Sequence, residues 1–289
     1  MNHTADYLKG IIENNAQPDA LNWLEDTREK LQEKVSALYI GFSSSSRYFQ
    51  KTPLNLSSAE AEKADALCPG FQPGGWDLLQ TVRVYILLEY PFADAEEQCA
   101  VFTKLFDSAD IHEQVSLYSS LPLLPYQEVM VPQAREGLRT NITTVFDAIA
   151  LQNPFPAQYF REEAWNQMVL KAVFMQRPLY KIYGADERTN AQLATMLTLF
   201  AHERWAAGRK VMPELWRFVG PFIDESNFAD IEKVIAEGDG LEVEAAYLAC
   251  ETSNYQKAVQ IRKEIDQNNV GSADERWQQI GEQFYLQHS

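Results

Sequence analysis

The residues best equipped for chemistry cluster in His202-Glu203-Arg204-Trp205-Ala206-Ala207-Gly208-Arg209. An imidazole changes charge near neutral pH, so His202 is the candidate for proton transfer, with a carboxylate and guanidinium groups beside it. Other polar residues are embedded in apolar stretches. Arg83 sits among Val82, Val84, Tyr85 and Ile86, and Asn166 and Lys171 share a segment with Trp165, Met168, Val169 and Ala172. An arginine on an apolar face must find a carboxylate or carbonyl groups, because leaving it unpaired is costly. Asp147 and Glu203 are the candidate carboxylates. Two readings of the set stay open. In one, these groups are buried pairs that fix helix register. In the other, Arg83, Arg139, Asp147, Asn166, Lys171, His202, Glu203, Arg204 and Arg209 converge on a pocket for a polar or anionic small molecule.

Better-known chemistries lack their motifs. There is no HExxH, no Glu-x-x-His pair and no CxxC, so no protein-bound metal is expected. His112-Glu113 and His202-Glu203 are adjacent pairs, and adjacent helical residues point about 100° apart, so neither makes a two-ligand face alone. No phosphate-cradling glycine loop, dinucleotide fingerprint or nucleophile elbow occurs, and no cofactor is expected. Gly137-Leu138-Arg139-Thr140-Asn141 reads as a helix start. Its amides could hold an anion beside Arg139, but a cap by Thr140 or Asn141 explains it more simply. Asp107-Ser108-Ala109-Asp110 is similar to the aspartate pairs that hold magnesium in all-helical isoprenoid enzymes. The required second motif is missing, and a turn between helices accounts for both aspartates.

The elements that must position these residues are helices. Trp23, Leu24, Leu31, Val35, Leu38 and Tyr39 recur at helical spacing, predicting a helix from Pro18-Asp19 to the Ser43–Ser46 run. Another follows Ser57-Ser58 and ends before Cys68-Pro69-Gly70. Asp77 caps an apolar helix through Leu88 whose every face needs covering. Asp94–Ser108 and Ile111–Leu121 form an amphipathic pair around the turn at Ala109-Asp110. Further helices are predicted at 133–151, 161–175, 190–207, 212–219, 227–238, 241–251, 255–268 and 273–286. No alternating strand or hairpin signal occurs. Helices of about 12–18 residues with short connections imply antiparallel neighbours. Helix pairs of about 30–40 residues are the size of solenoid repeats. The expected fold is all-α: an antiparallel helical array or α-α superhelix of degenerate, HEAT-like repeats.

Charge and cysteine content narrow the setting. The net charge of −16 is uneven, with residues 1–134 at −10, 135–217 at +3 and 218–289 at −9. Such acidity repels nucleic acid and anionic lipid, and leaves a slightly basic waist for a small anion or an acidic partner surface. Three widely spaced cysteines read as reduced thiols in the cytoplasm. The start of the chain lacks the features of a signal peptide, and the longest apolar stretch, around Thr81 to Leu88, is far short of a membrane span. No direct membrane insertion is expected.

Several longer strings carry a resemblance. They are Leu121-Pro-Leu-Leu-Pro125, Glu136-Gly-Leu-Arg-Thr-Asn141, Val145-Phe-Asp-Ala-Ile-Ala-Leu-Gln-Asn-Pro154, Trp165-Asn-Gln-Met-Val-Leu-Lys171, Arg177-Pro-Leu-Tyr180, His202 to Arg209, Glu214-Leu-Trp-Arg217 and Gly220-Pro-Phe222. Trp76, Arg83 and Gly238-Asp-Gly-Leu-Glu242 also match. With these the chain resembles the EboA-domain family of bacterial proteins, densely over residues 71–222, more weakly to about 260 and loosely before 70. The resemblance implies a helical fold and a place in a bacterial gene cluster that also encodes a prenyltransferase-like membrane protein and enzyme-like partners. Such clusters are associated with specialised metabolites, including movement of a scytonemin precursor out of the cytoplasm in cyanobacteria. The family brings no catalytic residues to carry over.

The sequence is therefore read as N-terminal helices (1–70), an EboA-like core (71–223) and acidic C-terminal helices (224–289) packed on that core as one continuous domain. The expected function is that of a non-enzymatic accessory or scaffold protein. It would assist synthesis or export of a small-molecule precursor by binding the metabolite or another protein of the same cluster. The alternative is an enzyme of unassigned type acting on a polar or prenylated small molecule in a central basic pocket, with His202 moving the proton.

Overall fold

The computed structural model describes residues 3–264 and 272–288. It is 73% helical, with no strand among the described residues, so the chain is all-α as expected. Its packing divides it into two compact units, Met1–Phe160 and Arg161–Ser289. The boundaries expected at 70/71 and 223/224 fall inside these units, because helices on either side of each share a core.

The first unit runs α1 (His3–Asn15), α2 (Pro18–Leu31), α3 (Val35–Ser44), α4 (Ser58–Leu67), α5 (Leu78–Glu89), α6 (Ala95–Ser108), α7 (Ile111–Ser120), α8 (Val131–Gly137), α9 (Thr143–Ala150) and α10 (Phe155–Tyr159). Helix α5 is its axis: every residue from Leu78 to Leu88 is buried, with α1, α2, α3 and α7 packed around it. The all-round apolar sequence of α5 demands this, since each face must leave water. Its N-cap is Asp77, whose carboxylate accepts the Gln80 N–H at 2.8 Å. Ser57 with Glu60 and Asp110 with Glu113 form capping boxes that start α4 and α7.

Two predicted helices are each broken in two. The helix expected from Pro18 into the serine run stops at Leu31 and restarts at Val35. The break lets α3 fold back on α2 with Gly41 at the contact, where a Cβ would lie 2.7 Å from the Thr27 methyl. The helix expected over 133–151 breaks between Gly137 and Thr143. The segment Gly137–Asn141 is thus an inter-helix turn and not a helix start, and the Thr140 hydroxyl accepts the Ile142 N–H at 3.1 Å. A Cβ on Gly137 would sit 2.4 Å from the Tyr118 ring and 2.7 Å from the Ile149 side chain. Both neighbours are buried, so neither yields freely. Gly137→Ala is expected to lower stability by about 1–3 kcal/mol through overpacking. A urea midpoint equal to wild type would contradict this packing.

The second unit runs α11 (Glu162–Phe174), α12 (Ala191–Ala206), α13 (Leu215–Val219), α14 (Phe228–Glu237), α15 (Gly240–Thr252), α16 (Gln256–Glu264) and α17 (Ala273–His288). Residues 265–268 of the helix predicted over 255–268 lie outside the described residues. Helix α15 packs against α13, α14, α16 and α17. Gly220 lets the chain after α13 touch α15, with its Cβ position 2.7 Å from the Ala249 carbonyl oxygen.

Candidate functional site

The arginine that the sequence places inside an apolar helix is buried, at 2% exposure. Its guanidinium lies over the Phe42 ring, 5.4 Å from the centroid, and its Nε donates to the Phe42 carbonyl at 3.4 Å. Nη2 donates to Glu113 Oε1 at 3.1 Å, and Nη1 donates to His112 Nδ1 at 2.7 Å. The carboxylate that answers Arg83 is therefore Glu113 and not Asp147. Position decides this: α7 packs along α5, and its first turn presents His112 and Glu113 to the guanidinium. Their roughly 100° divergence, which denies them a shared metal face, suits a forked cation with nitrogens on two edges.

The relay continues outward. His112 Nε2 lies 2.7 Å from Asp77 Oδ2. Because Arg83 can only donate, Nδ1 accepts and the ring proton sits on Nε2, given to Asp77. Both ring nitrogens are thereby engaged. Burial works to raise the Asp77 pKa, but the hydrogen bonds from His112 and the Gln80 N–H, with the charge of Lys51, hold it below the ordinary carboxylate value. Burial pulls Arg83 below the usual guanidinium value, opposed by Glu113, Asp110 and Asp77. Glu113 also accepts the Asp110 N–H at 3.0 Å, so one side chain both caps α7 and neutralises Arg83.

Asp77 and His112 open on a cleft of about 710 Å³ that is also lined by Lys51, Gln80, Ala109, Asp110, Ile111, Gln114, Val115 and Thr144. Lys51 reaches it because its segment is clipped beside the α5 cap. The Leu78 N–H donates to the Thr52 carbonyl at 2.8 Å, and the Leu54 N–H to the Trp76 carbonyl at 3.0 Å. Ile111, 51% exposed, forms an apolar rim. At the floor, Gln80 is 5% exposed and its Nε2 donates to Ser119 Oγ at 2.9 Å.

The other sequence-selected residues lie elsewhere. Arg139 is exposed and pairs with Glu136 at 3.3 Å. Asp147 is half-buried on α9 and is not part of the cleft lining. In the second unit, Asn166 is 1% exposed and exchanges amide hydrogen bonds with Asn190, the α12 cap, at 3.2 and 2.8 Å. It thus belongs to a structural pair away from His202. Lys171 is half-buried in the last turn of α11, and burial lowers its pKa. His202 Nε2 meets Asp230 Oδ1 at 2.8 Å with nearly half of its side chain exposed, and its ring lies 5.8 Å from that of Trp205. Glu203 is exposed. Arg204 Nε donates to the Lys210 carbonyl at 3.0 Å, closing the turn after α12. Arg209 borders a smaller recess of about 300 Å³ with Trp205, Lys210, Lys233, Glu237 and Glu242. The structure thus gathers His202, Trp205 and Arg209 near the end of α12 and sends Asn166 and Arg204 to structural tasks.

Sequence reasoning missed His112, Glu113, Gln80 and Lys51 as members of one site, and saw Asp77 only as a cap. The one legible signal was Arg83, whose need for a partner is local while the identity of that partner is not. Neither the half-buried Cys68 nor the buried Cys250 is a ready nucleophile: burial pushes both thiols up to about 11. Among the described residues no three His, Cys, Asp or Glu side chains are grouped to hold a metal ion, and no helix is long and apolar enough to cross a membrane.

Compared with known proteins, residues 4–220 match the model of a family described as "Metabolite traffic protein EboA". The match covers all of the first unit beyond its opening residues and the second as far as Gly220. No curated protein and no solved structure matches the chain.

Proposed function

The chain belongs to the EboA family of metabolite traffic proteins, and on that premise we propose that it is a non-enzymatic accessory protein that holds a small-molecule metabolite in the cleft of its first unit. The observation that carries this reading is the state of the cleft's polar groups. His112 has both nitrogens engaged, and all three kinds of Arg83 nitrogen are committed to Phe42, His112 and Glu113. Such a network holds a shape, and it ties up His112 and Arg83 in structural bonds. Apolar walls over a small number of fixed polar atoms are the usual make-up of a small-molecule site. In this reading the protein works in the cytoplasm, beside other proteins of the same gene cluster, and assists synthesis or export of a precursor.

Native mass spectrometry of the full chain, purified from cells that express the whole cluster, tests it. A small molecule retained by wild type and lost in Ile111→Arg, which places a long cation at the rim, is the expected result. An empty wild-type protein, or retention unchanged in Ile111→Arg, would overturn it. The second reading, an enzyme using His202, is favoured by the exposed His202–Asp230 pair beside Trp205. The two readings part on one variant. Retention in the first unit is expected to be unaltered by His202→Ala, whereas the enzyme reading requires a metabolite to accumulate unconverted.

A further inference from the structure

We propose that α17 is a releasable cover on the second unit: when Glu214 ionises, α17 lifts from α15 and from the turn Leu179–Lys181, while the helices beneath it stay folded. This does not depend on the cleft of the first unit. The cover packs against α15 and that turn, and it buries a stripe of Trp277, Ile280 and Phe284. Gly281 continues the stripe, because a Cβ there would come 2.4 Å from the Tyr180 ring and 2.8 Å from Glu214 Oε2. The carboxyl group is thus pressed against the backbone of the cover itself.

Charge in this contact is poorly answered on both sides. The two N–H groups that Glu214 accepts belong to Leu179 and Tyr180, so they come from the turn and not from α17. The titratable groups around it are Arg217 at α13, Tyr180 with Lys181 over its ring, and Glu282 and Tyr285 of α17, which act on Tyr180. Arg217 is the cation whose charge reaches Glu214, but it is committed to Asp186 at 2.7 and 2.6 Å and to Asp274 at 2.7 Å. On the α17 side Arg276 is 6% exposed. Its Nη1 donates to Glu251 at 2.7 Å, while Nε and Nη2 are buried with no acceptor. The same edge of Arg217 grips both oxygens of Asp186, which is the bidentate bond that Arg276 forgoes. An ionised Glu214 adds a dry carboxylate to this unfilled fork, and both are costly to keep from water. Lifting α17 hydrates both and leaves the two backbone bonds to Glu214 in place. It gives up the apolar stripe, the Glu251 pair and the Asp274 pair, the last with 76% of the Asp274 side chain exposed and so of small worth. Burial raises the Glu214 pKa to about 8, so docking is strongest in acid and weakens as the pH rises toward that value.

Hydrogen exchange of the full chain, followed by mass spectrometry at about pH 5.5 and about pH 7.5, tests this. It is read as protection factors, which remove the intrinsic pH dependence of exchange. The release constant rises roughly tenfold per pH unit below the folded pKa of Glu214. Peptides of α17 are therefore expected to lose on the order of a hundredfold in protection between the two conditions, while those of α12 and α15 change by less than about threefold. Glu214→Gln is expected to make α17 protection flat over the same range. Loss of protection in α17, α12 and α15 in step would overturn the proposal, as would α17 protection that ignores pH. A Glu214→Gln slope equal to wild type would do the same. If the variant does not fold, infrared difference spectra of wild type take its place. The pH at which α17 protection stops falling is expected to match the titration of a buried carboxyl, and a mismatch rejects Glu214 as the trigger.

Discussion

Glu113→Ala is expected to destabilise the first unit by about 3–5 kcal/mol. Among the described residues, the side chain it removes is the one carboxylate paired with Arg83, which keeps 3% of its side chain exposed. Arginine cannot shed its proton to escape an unpaired burial. The guanidinium is held between the Phe42 ring and α7, so it must stay charged and unanswered or drag α5 and α7 apart. The same substitution also removes the acceptor of the Asp110 N–H, opening the first turn of α7. The double variant Arg83→Met with Glu113→Leu tests the cause. Exchanging both members of a buried pair for apolar groups of similar volume is often close to neutral, so the double variant is expected to recover most of the loss. Urea unfolding of wild type, both single variants and the double variant gives the coupling directly. A double variant no better than Glu113→Ala would show that the capping box, and not the buried charge, carries the effect.

The second large effect is a pH dependence written into the second unit. Glu214 is fully buried, and its two carboxylate oxygens accept the N–H groups of Leu179 at 3.2 Å and Tyr180 at 2.5 Å. Helix α17 closes over it at Gly281, where a Cβ would come 2.7 Å from the Glu214 carboxyl carbon. Burial raises its pKa to about 8, against the two backbone N–H groups and the charge of Arg217. A carboxyl whose folded pKa lies above its unfolded value of 4.5 contributes stability that is fully present below pH 4.5 and lost as the pH rises through about 8. The loss between pH 5 and pH 8 is on the order of 3 kcal/mol. Glu214→Gln is expected to flatten this slope. Its NH₂ group cannot accept the second backbone N–H, so the variant is less stable than wild type at pH 5 and closes the gap by pH 8. Denaturation profiles that run parallel across this range would refute it. The sign is opposite to that expected for Asp77. Its lowered pKa contributes stability present above the unfolded value and lost on acidification through the folded one.

Both effects rest on groups with very different visibility in the sequence. Glu214 and Arg217 stand within the residues that the family model matches, yet nothing near them says that Glu214 is dry. Its burial comes from α17, about sixty residues further along the chain, and an exposed Glu in the same string would read identically. Arg83 announces its own problem, because Val82, Val84, Tyr85 and Ile86 leave it no local water. The answer comes from His112 and Glu113, whose divergence as neighbours denies them a single ion and suits a forked guanidinium.

What the sequence determined by itself is local in range. Helix existence, the caps at Ser57 and Asp77, the short turn between α6 and α7, and the all-round burial of α5 all follow from residues within a turn or two of each other. There the backbone hydrogen-bond pattern and side-chain periodicity act directly. The family resemblance belongs to the same class, since it is read from contiguous strings. Tertiary structure alone decided where predicted helices break, at Gln32–Lys34 and Leu138–Ile142. It also decided which carboxylate meets Arg83, that Asn166 belongs to Asn190, and that a cleft opens beside Asp77 and His112. Each of these depends on how closely two helices approach, as Gly41 against Thr27 and Gly137 against Tyr118 show. Close packing sets that distance through the summed fit of many side chains, which no single stretch of chain encodes.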